Sequence, residues 1–341
     1  MMRLPWFVYR APRSLDEAAR MLAGEGPRAM LLAGGTDLLP NMKRRQQTPA
    51  TLIALRRVEQ LNTVSNGRGM ALGAGLTLTQ VVAMPQLRDR YAALARAAAY
   101  VASPHLRNMA TLGGNLCLDT RCDYYDQSQE WRQAIGYCLK KDGATCWVAT
   151  ASKRCLAVSS TDTAPALIAL GATATLVSTE GRREVAVEDL YHDDGIAYLT
   201  RRPDEILTEV KLPAAGWKST YWKLRRRGSV DFPVLGVAAA VKLAGDGTVE
   251  AARIALGAVA SRPFLVPRAG EILAGKKLGD DAIAEAAATV WARAKPMDNA
   301  DLDLHWRKRV VPDFTTYALR ELRGDDVRAI RHRVARAIHD A

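Results

Sequence analysis

Short apolar runs alternate with glycine turns and amphipathic stretches along the first half of the chain. SLDEAARMLAGEG opens with Ser14 and Glu17 at capping-box spacing, which predicts a helix that stops at Gly24. AMLLAG (29–34) is a short apolar run bounded by glycine and predicts a buried strand; GGTDLLPNMK then predicts a glycine turn opening into a helix. TLIAL (51–55) and MALGAG (70–75), feeding TLTQVVAM, repeat the order of strand, glycine turn and helix. Further on, TAPALIALGA (163–172) reads as a helix with a glycine stop, and ATATLVSTEGRREVAV (172–187) as a hairpin turning at Glu180 and Gly181.

The pattern changes near LPAAGWKST. Three apolar alternating segments run from YWKLRRR through FPVLGVAAAVKLA to EAARIALGAVA (221–260), followed by helical stretches at RPFLVPRAGEILAG and DDAIAEAAATVWARA. A C-terminal tract from Asp301 onward is interrupted by Pro312, which leaves open whether it packs on its own domain or on a partner. Strands followed by helices, after a mixed first half, predict an α+β chain. The expected domains are 1–214, of mixed α/β structure, and 215–341, with a three-stranded sheet and helices. No repeat or low-complexity segment interrupts this order.

Composition narrows the class. At 341 residues, 48% apolar and 25% charged, the chain has the profile of a soluble globular protein. MMRLPWFVYRAPRS lacks the apolar run of a signal peptide, and no stretch reaches the roughly eighteen unbroken apolar residues of a membrane span, so a cytoplasmic protein with no membrane partner is expected. Lys and Arg exceed Asp and Glu, giving a net charge of +12. The basic residues are dispersed, with mild concentrations at LRRRG (224–228), HWRKR (305–309) and RHRVAR (331–336). That distribution fits a solvated basic surface or a docking face for an acidic protein. Nucleic acid is not expected, since no helix-turn-helix, zinc-finger or RNP-like aromatic pattern accompanies the charge. The histidines, His105, His192, His305, His332 and His339, are scattered and none is assigned a catalytic role.

Four of the five cysteines, Cys122, Cys138, Cys146 and Cys155, fall in one stretch, and Cys117 lies just upstream. In a reducing compartment such a group is a metal or redox centre more often than a disulfide framework. The thiols are separated by 15, 7 and 8 residues, without the close pairs typical of structural zinc. Long intervals suit a bulkier cubane with an iron at each corner, and iron–sulfur, zinc and inert thiols all remain open on spacing alone. Tyr124, Tyr125, Trp131, Tyr137 and Trp147 lie among the thiols, either as cover against water or as ordinary loop packing.

Two glycine turns add a second candidate. LLAGGTDLLP lacks both G-x-G-x-x-G and a P-loop ending, yet adjacent glycines let the backbone approach a ligand and a helix start favours an anion. ATLGGNL (110–116) has the same character, with Thr111 and Asn115 as side-chain donors. Either turn alone is as readily structural. Both together suggest a large phosphorylated ligand between them.

LLAGGTDLLPNMK, ATLGGNLC, DTAPALIALGA, YWKLRRRGSVDFPVLGVAAAV and RIALGAVASRPFLVPRAGEIL resemble, in that order, the FAD-binding subunits of the molybdenum hydroxylases over nearly the whole chain. Most such subunits pass almost directly from GGNLC to the D-x-x-P-A-L segment. Here an insert over 117–158, with NLC-x-DTRC, Y-x-QS-x-x-WR, GYCLK and RC, is similar to that of the 4-hydroxybenzoyl-CoA reductase group, whose loop holds a [4Fe-4S] cluster.

The resemblance implies a first domain of two α/β subdomains and a C-terminal domain of the CO dehydrogenase flavoprotein type. It implies FAD held by Leu31, Leu32, Ala33, Gly34, Gly35, Thr36, Asp37 and Leu38 around the pyrophosphate, with Thr111, Gly113, Gly114 and Asn115 as the second turn. Asp162 is expected on the adenosine side, Leu207 against the flavin ring or adenine, and Lys223 near the isoalloxazine; as residues alone, the last two fit a core leucine and a surface lysine equally. Cys122, Cys138, Cys146 and Cys155 become the cluster ligands, and Cys117 a buried thiol beside the flavin turn. The implied role is an electron relay without catalytic residues of its own. Its partners would be a molybdopterin-binding large subunit, a small subunit with two [2Fe-2S] clusters, and ferredoxin as donor. A related oxidative molybdenum hydroxylase subunit and, from another class, a zinc-stabilised interaction protein are the alternatives.

Overall fold

The computed structural model describes residues 3–336, so His339 lies outside the described residues. The expected first helix is present over Leu15–Glu25, with the Ser14 side chain accepting from the Glu17 N–H; it runs past Gly24 and ends at Gly26 (φ 59°). Its buried face, Ala18, Ala19 and Leu22, packs on Ile53, Val58, Leu61 and Ile206. Strands β1 (Val8–Arg10), β2 (Ala29–Leu32) and β3 (Thr51–Ala54) form a small parallel sheet in the order β1-β3-β2. Gly35, at φ 73°, turns the chain from β2 into the helix Leu38–Lys43.

A second subdomain carries an antiparallel sheet of five strands, β4 (Val64–Asn66), β5 (Met70–Gly73), β6 (Thr173–Ser178), β7 (Gly181–Ala186) and β8 (Ile206–Leu212), in the order β4-β5-β8-β6-β7. The β6–β7 hairpin turns through Thr179 and Glu180, one residue earlier than the pattern suggests. Helix Leu78–Ala83 starts with a full capping box between Thr77 and Gln80. Helix Thr163–Leu170, buried along its length, ends at Gly171 in the left-handed region.

The C-terminal domain contains β9 (Lys218–Leu224), β10 (Leu235–Leu243) and β11 (Val249–Gly257) as an antiparallel sheet. The expected three strands are joined by a two-residue fourth, β12 (Phe264–Leu265), paired to β11, so the sheet order is β12-β11-β10-β9. Alternation along β10 explains how this sheet serves both domains. Val237, Ala239 and Val241 face the domain's own helices, whereas Ala238 and Ala240 face the core of the first domain. Small residues on that second face permit close docking: a Cβ at Gly257 would lie 2.6 Å from the Pro165 ring of helix Thr163–Leu170. The C-terminal tract packs on its own domain through helix Val311–Arg323, where Pro312 occupies the first turn and breaks nothing.

The cysteine insert leaves the first domain after the helix Leu112–Leu116 and returns at Val158. Its base is closed by two backbone hydrogen bonds, Arg121 N–H to Val158 O (2.8 Å) and Val158 N–H to Arg121 O (2.7 Å). A short helix, Gln129–Ala134, is capped by Ser128. Gln46 Nε2 donates to Tyr125 O, and Asn299 Nδ2 donates to Leu156 O, so the insert is held by both domains.

Candidate cofactor site

The glycine turns meet. An added Cβ at Gly34 would sit 1.8 Å from the carbonyl oxygen of Met109, two residues ahead of Thr111, so the absence of a side chain is what lets one turn lie on the other. At Gly113 a Cβ would come within 2.7 Å of the Ala74 methyl. Beside the paired turns opens a cavity of about 710 Å³, within the range of cofactor sites. Leu31, Ala33, Gly34, Gly35, Thr36, Asp37, Leu38, Thr111, Gly113, Gly114, Asn115, Asp162 and Leu207 all line it.

The two turns contribute differently. The N–H groups of Gly34, Gly35 and Thr36 have no acceptor among the described residues and remain available to an anion. In the second turn every early N–H is used. Leu112 donates to Leu76 O, Gly113 to Ala74 O and Gly114 to the Thr111 hydroxyl. The segment expected to be a turn is a one-turn helix, Leu112–Leu116, capped by Thr111. Asn115, expected as a donor, uses its carbonyl oxygen to accept from Thr161 Oγ1, Thr163 N–H and Thr163 Oγ1, tying this helix to the next. The second turn therefore supplies shape where the first supplies donors.

Two expected residues lie off the cavity surface. Leu32 alternates with Leu31 along β2 and packs behind it among Leu38, Met42 and Leu52. Lys223 is neither on the surface nor on the cavity wall. Its ammonium lies 2.9 Å from Asp162 Oδ2 and donates to Tyr100 O at 3.0 Å, while the Tyr221 hydroxyl donates to Asp162 Oδ1 at 2.9 Å. Burial works against both charges, pushing the Asp162 carboxyl up and the Lys223 ammonium down, and the contact between them opposes it. Asp162 thus links the cavity wall to strand β9 of the second domain.

Cys122, Cys138, Cys146 and Cys155 line a single pocket together with Tyr124, Tyr125 and Trp147. All four are buried and reduced. Trp131 and Tyr137 are elsewhere in the loop. Burial, with repulsion from Cys155 and Cys138, pushes the Cys122 thiol up to about 12. Burial likewise pushes Cys155 up to about 11, opposed by the Ala157 N–H at 3.4 Å and the Lys140 ammonium. Four buried thiolates without a cation would be costly, and a bound metal group removes that cost. Among the described residues no three Cys, His, Asp or Glu side chains close on one ion position. The void between the thiols is about 10 Å³, so a group larger than water enters only as these side chains rotate outward. Cys117 lies outside this pocket, on the wall of the large cavity, with its thiol also pushed up by burial.

Between the two spaces runs a partition that sequence reasoning missed. Asp119 lines the large cavity, Lys140 lines the thiol pocket, and their side chains meet at 2.7 Å. Arg121 reaches from the base of the insert to Asp37 on the first glycine turn, donates to Asn41 Oδ1 at 3.0 Å and stacks 4.6 Å from the Phe232 ring. Gly195 is equally cryptic: a Cβ there would lie 2.6 Å from Cys155 Sγ. The only sequence signal was that Asp119, Arg121 and Lys140 fall beside cysteines; which of the many charged residues would be buried is decided by distant contacts.

Comparison with known proteins agrees with this geometry. Residues 5–215 match the family described as FAD binding domain in molybdopterin dehydrogenase, and residues 219–322 match the CO dehydrogenase flavoprotein C-terminal domain. The chain is 34% identical to the aldehyde oxidoreductase FAD-binding subunit of Escherichia coli (strain K12), over 77% of this chain and 84% of that one. It is 29% identical to the carbon monoxide dehydrogenase medium chain of Hydrogenophaga pseudoflava, over 92% and 96% respectively. Among solved structures, a chain of the Cu,Mo-CO dehydrogenase superposes with a TM-score of 0.78 at 26% identity, covering 94% of this chain and 99% of that one. The chain belongs to the family of FAD-binding subunits of molybdopterin dehydrogenases. It is accordingly an oxidoreductase subunit with the mixed α/β FAD domain and C-terminal flavoprotein domain of that family.

Proposed function

We propose that this chain is the electron-transfer subunit of a molybdenum hydroxylase-type complex, carrying FAD in the large cavity and a [4Fe-4S] cluster on Cys122, Cys138, Cys146 and Cys155. The observation that carries the reading is the convergence of four buried, unpaired thiols on one pocket beside the flavin cavity. FAD exchanges one or two electrons and an iron–sulfur cluster one, which suits a relay better than substrate chemistry. The free N–H groups of Gly34, Gly35 and Thr36 would hold the pyrophosphate, and Leu207 would pack against an aromatic ring of the cofactor. Tyr125, pressed on the thiols, limits water there.

Substrate chemistry would reside on a molybdopterin-binding large subunit, with a small subunit carrying two [2Fe-2S] clusters. The named relatives are subunits of an aldehyde oxidoreductase and of carbon monoxide dehydrogenases, which favours an oxidative complex. The four-thiol insert favours the second reading, a 4-hydroxybenzoyl-CoA reductase fed by ferredoxin. In that case the net charge of +12 supports docking of an acidic donor, and raising ionic strength should slow reduction by ferredoxin.

Anaerobic purification of the complex with iron, sulfide and flavin analysis tests the cofactor reading. Iron and acid-labile sulfide beyond what two [2Fe-2S] clusters account for, together with flavin absorbance, support it; zinc with no flavin would favour a metal-stabilised interaction protein instead. Assay of the same material for hydroxybenzoyl-CoA reduction against aldehyde and N-heterocycle oxidation separates the two complexes.

A further inference from the structure

The Asp119–Lys140 pair has a direction. Its carboxylate belongs to the wall of the flavin cavity and its ammonium to the wall of the thiol pocket. Both side chains are 6% exposed. The three protons of the ammonium have three acceptors, Asp119 Oδ1 (2.7 Å), Gly195 O (2.7 Å) and the Thr120 hydroxyl, so it has no freedom to turn away. Nζ also stands 4.8 Å from the ring centre of Tyr125, which itself lines the thiol pocket and whose hydroxyl donates to Asp119 Oδ2 at 3.3 Å. On the other side, Gln47 Nε2 donates to the same Oδ2 at 3.1 Å, and the Thr120 N–H donates to Oδ1 at 2.9 Å. A buried ion pair is a poor way to gain stability, because well-packed apolar residues of similar volume do as well. What apolar residues cannot provide is a fixed field across a low-dielectric wall.

We propose that Asp119 and Lys140 form an oriented dipole across the partition, and that Lys140 is a positioning residue whose charge favours an added electron on the thiol-held group. The proposal rests on the four-thiol cluster reading given above. One electron arriving at that group adds one negative charge next to the positive end of the pair, while the negative end faces the flavin cavity. Removing either charge should therefore move the cluster potential in opposite directions, a pattern that simple loosening of the fold would not produce.

The test is an EPR-monitored redox titration of the anaerobically purified complex, with dithionite supplying the electrons, for Lys140→Gln, Asp119→Asn and the double variant. Lys140→Gln is expected to lower the reduced-to-oxidised ratio at fixed potential about tenfold, a 59 mV shift downward for a one-electron couple. Asp119→Asn should shift the midpoint upward, and the double variant should fall between the two. Shifts of the same sign in both single variants, or none, overturn the proposal. If Lys140→Gln does not fold, Asp119→Asn alone decides, because an unmoved or lowered midpoint there is already incompatible with the dipole. Unmutated complex with no iron and sulfide beyond those of the two [2Fe-2S] clusters would instead defeat the cluster reading itself, before any variant is compared.

Discussion

The large cavity and the thiol pocket lie on either side of one ion pair, yet they are made of opposite materials. The cavity is shaped by missing side chains: Gly34 lies against Met109 O, Gly113 against Ala74, and free N–H groups project from a bare turn. The pocket is made almost wholly of side chains, four thiols with Tyr124, Tyr125 and Trp147, on a loop with little regular structure. A backbone-built site tolerates no added bulk and depends on the surrounding fold. A side-chain-built site depends on particular atoms and can be emptied while the fold remains.

That contrast can be broken most sharply at Cys138. Cys138→Ser is expected to abolish the iron and sulfide bound by this chain, leaving only those of the two [2Fe-2S] clusters in the complex, while flavin stays at the unmutated ratio, as measured by metal analysis and absorbance; equal loss of iron and flavin would show that the two sites fold as one unit. Next in size is the pair joining the domains. Lys223→Met leaves Asp162 buried without its partner and should destabilise the chain by about 3–5 kcal/mol, read as a fall in thermal midpoint, with flavin occupancy falling alongside because Asp162 is part of the cavity wall. Gly34→Ala forces the two turns apart and should cost about 1–3 kcal/mol, visible as weakened FAD retention on gel filtration with the iron content unchanged.

The smallest effect concerns a contact remote from both sites. Burial pushes the Glu321 carboxyl up, but hydrogen bonds from Arg331 and Thr220 and the charges of Arg331 and Arg96 outweigh it and hold the group below its ordinary value. Its folded value is thus lower than its unfolded one, so its contribution is complete above the unfolded value and is lost as pH falls through the folded one. Glu321→Gln should lower stability at pH 7 by about 1–2 kcal/mol, with the difference from the parent shrinking in acid denaturation scans.

Local signals in the sequence carried far. Ser14 and Glu17 open a helix and the apolar run before Gly34 forms a strand, both from neighbours a few residues away, although that strand is half-buried where a buried one was expected; the four clustered cysteines line one pocket. The helix Leu15–Glu25 passes Gly24 because it is Gly26 that takes the positive φ and donates its N–H to Leu22 O, so the stop lies two residues further on. The other misreadings share a cause. Leu112–Leu116 closes into a helix because Leu76 and Ala74, some forty residues earlier, accept its first N–H groups. Lys223 reads as a surface lysine until Asp162 and Tyr100 are brought to it from another domain. The same holds for Asp119 and Lys140: two ordinary charged residues become a pair only when the insert folds back.

The two hydrogen bonds joining Arg121 and Val158 give the insert feet that stand side by side. The helices on either side of it, Leu112–Leu116 and Thr163–Leu170, are fastened to each other through Asn115 and do not need the loop to hold them together. The insert is thus a self-closed appendage, and whatever its thiols hold can change without rebuilding the scaffold beneath.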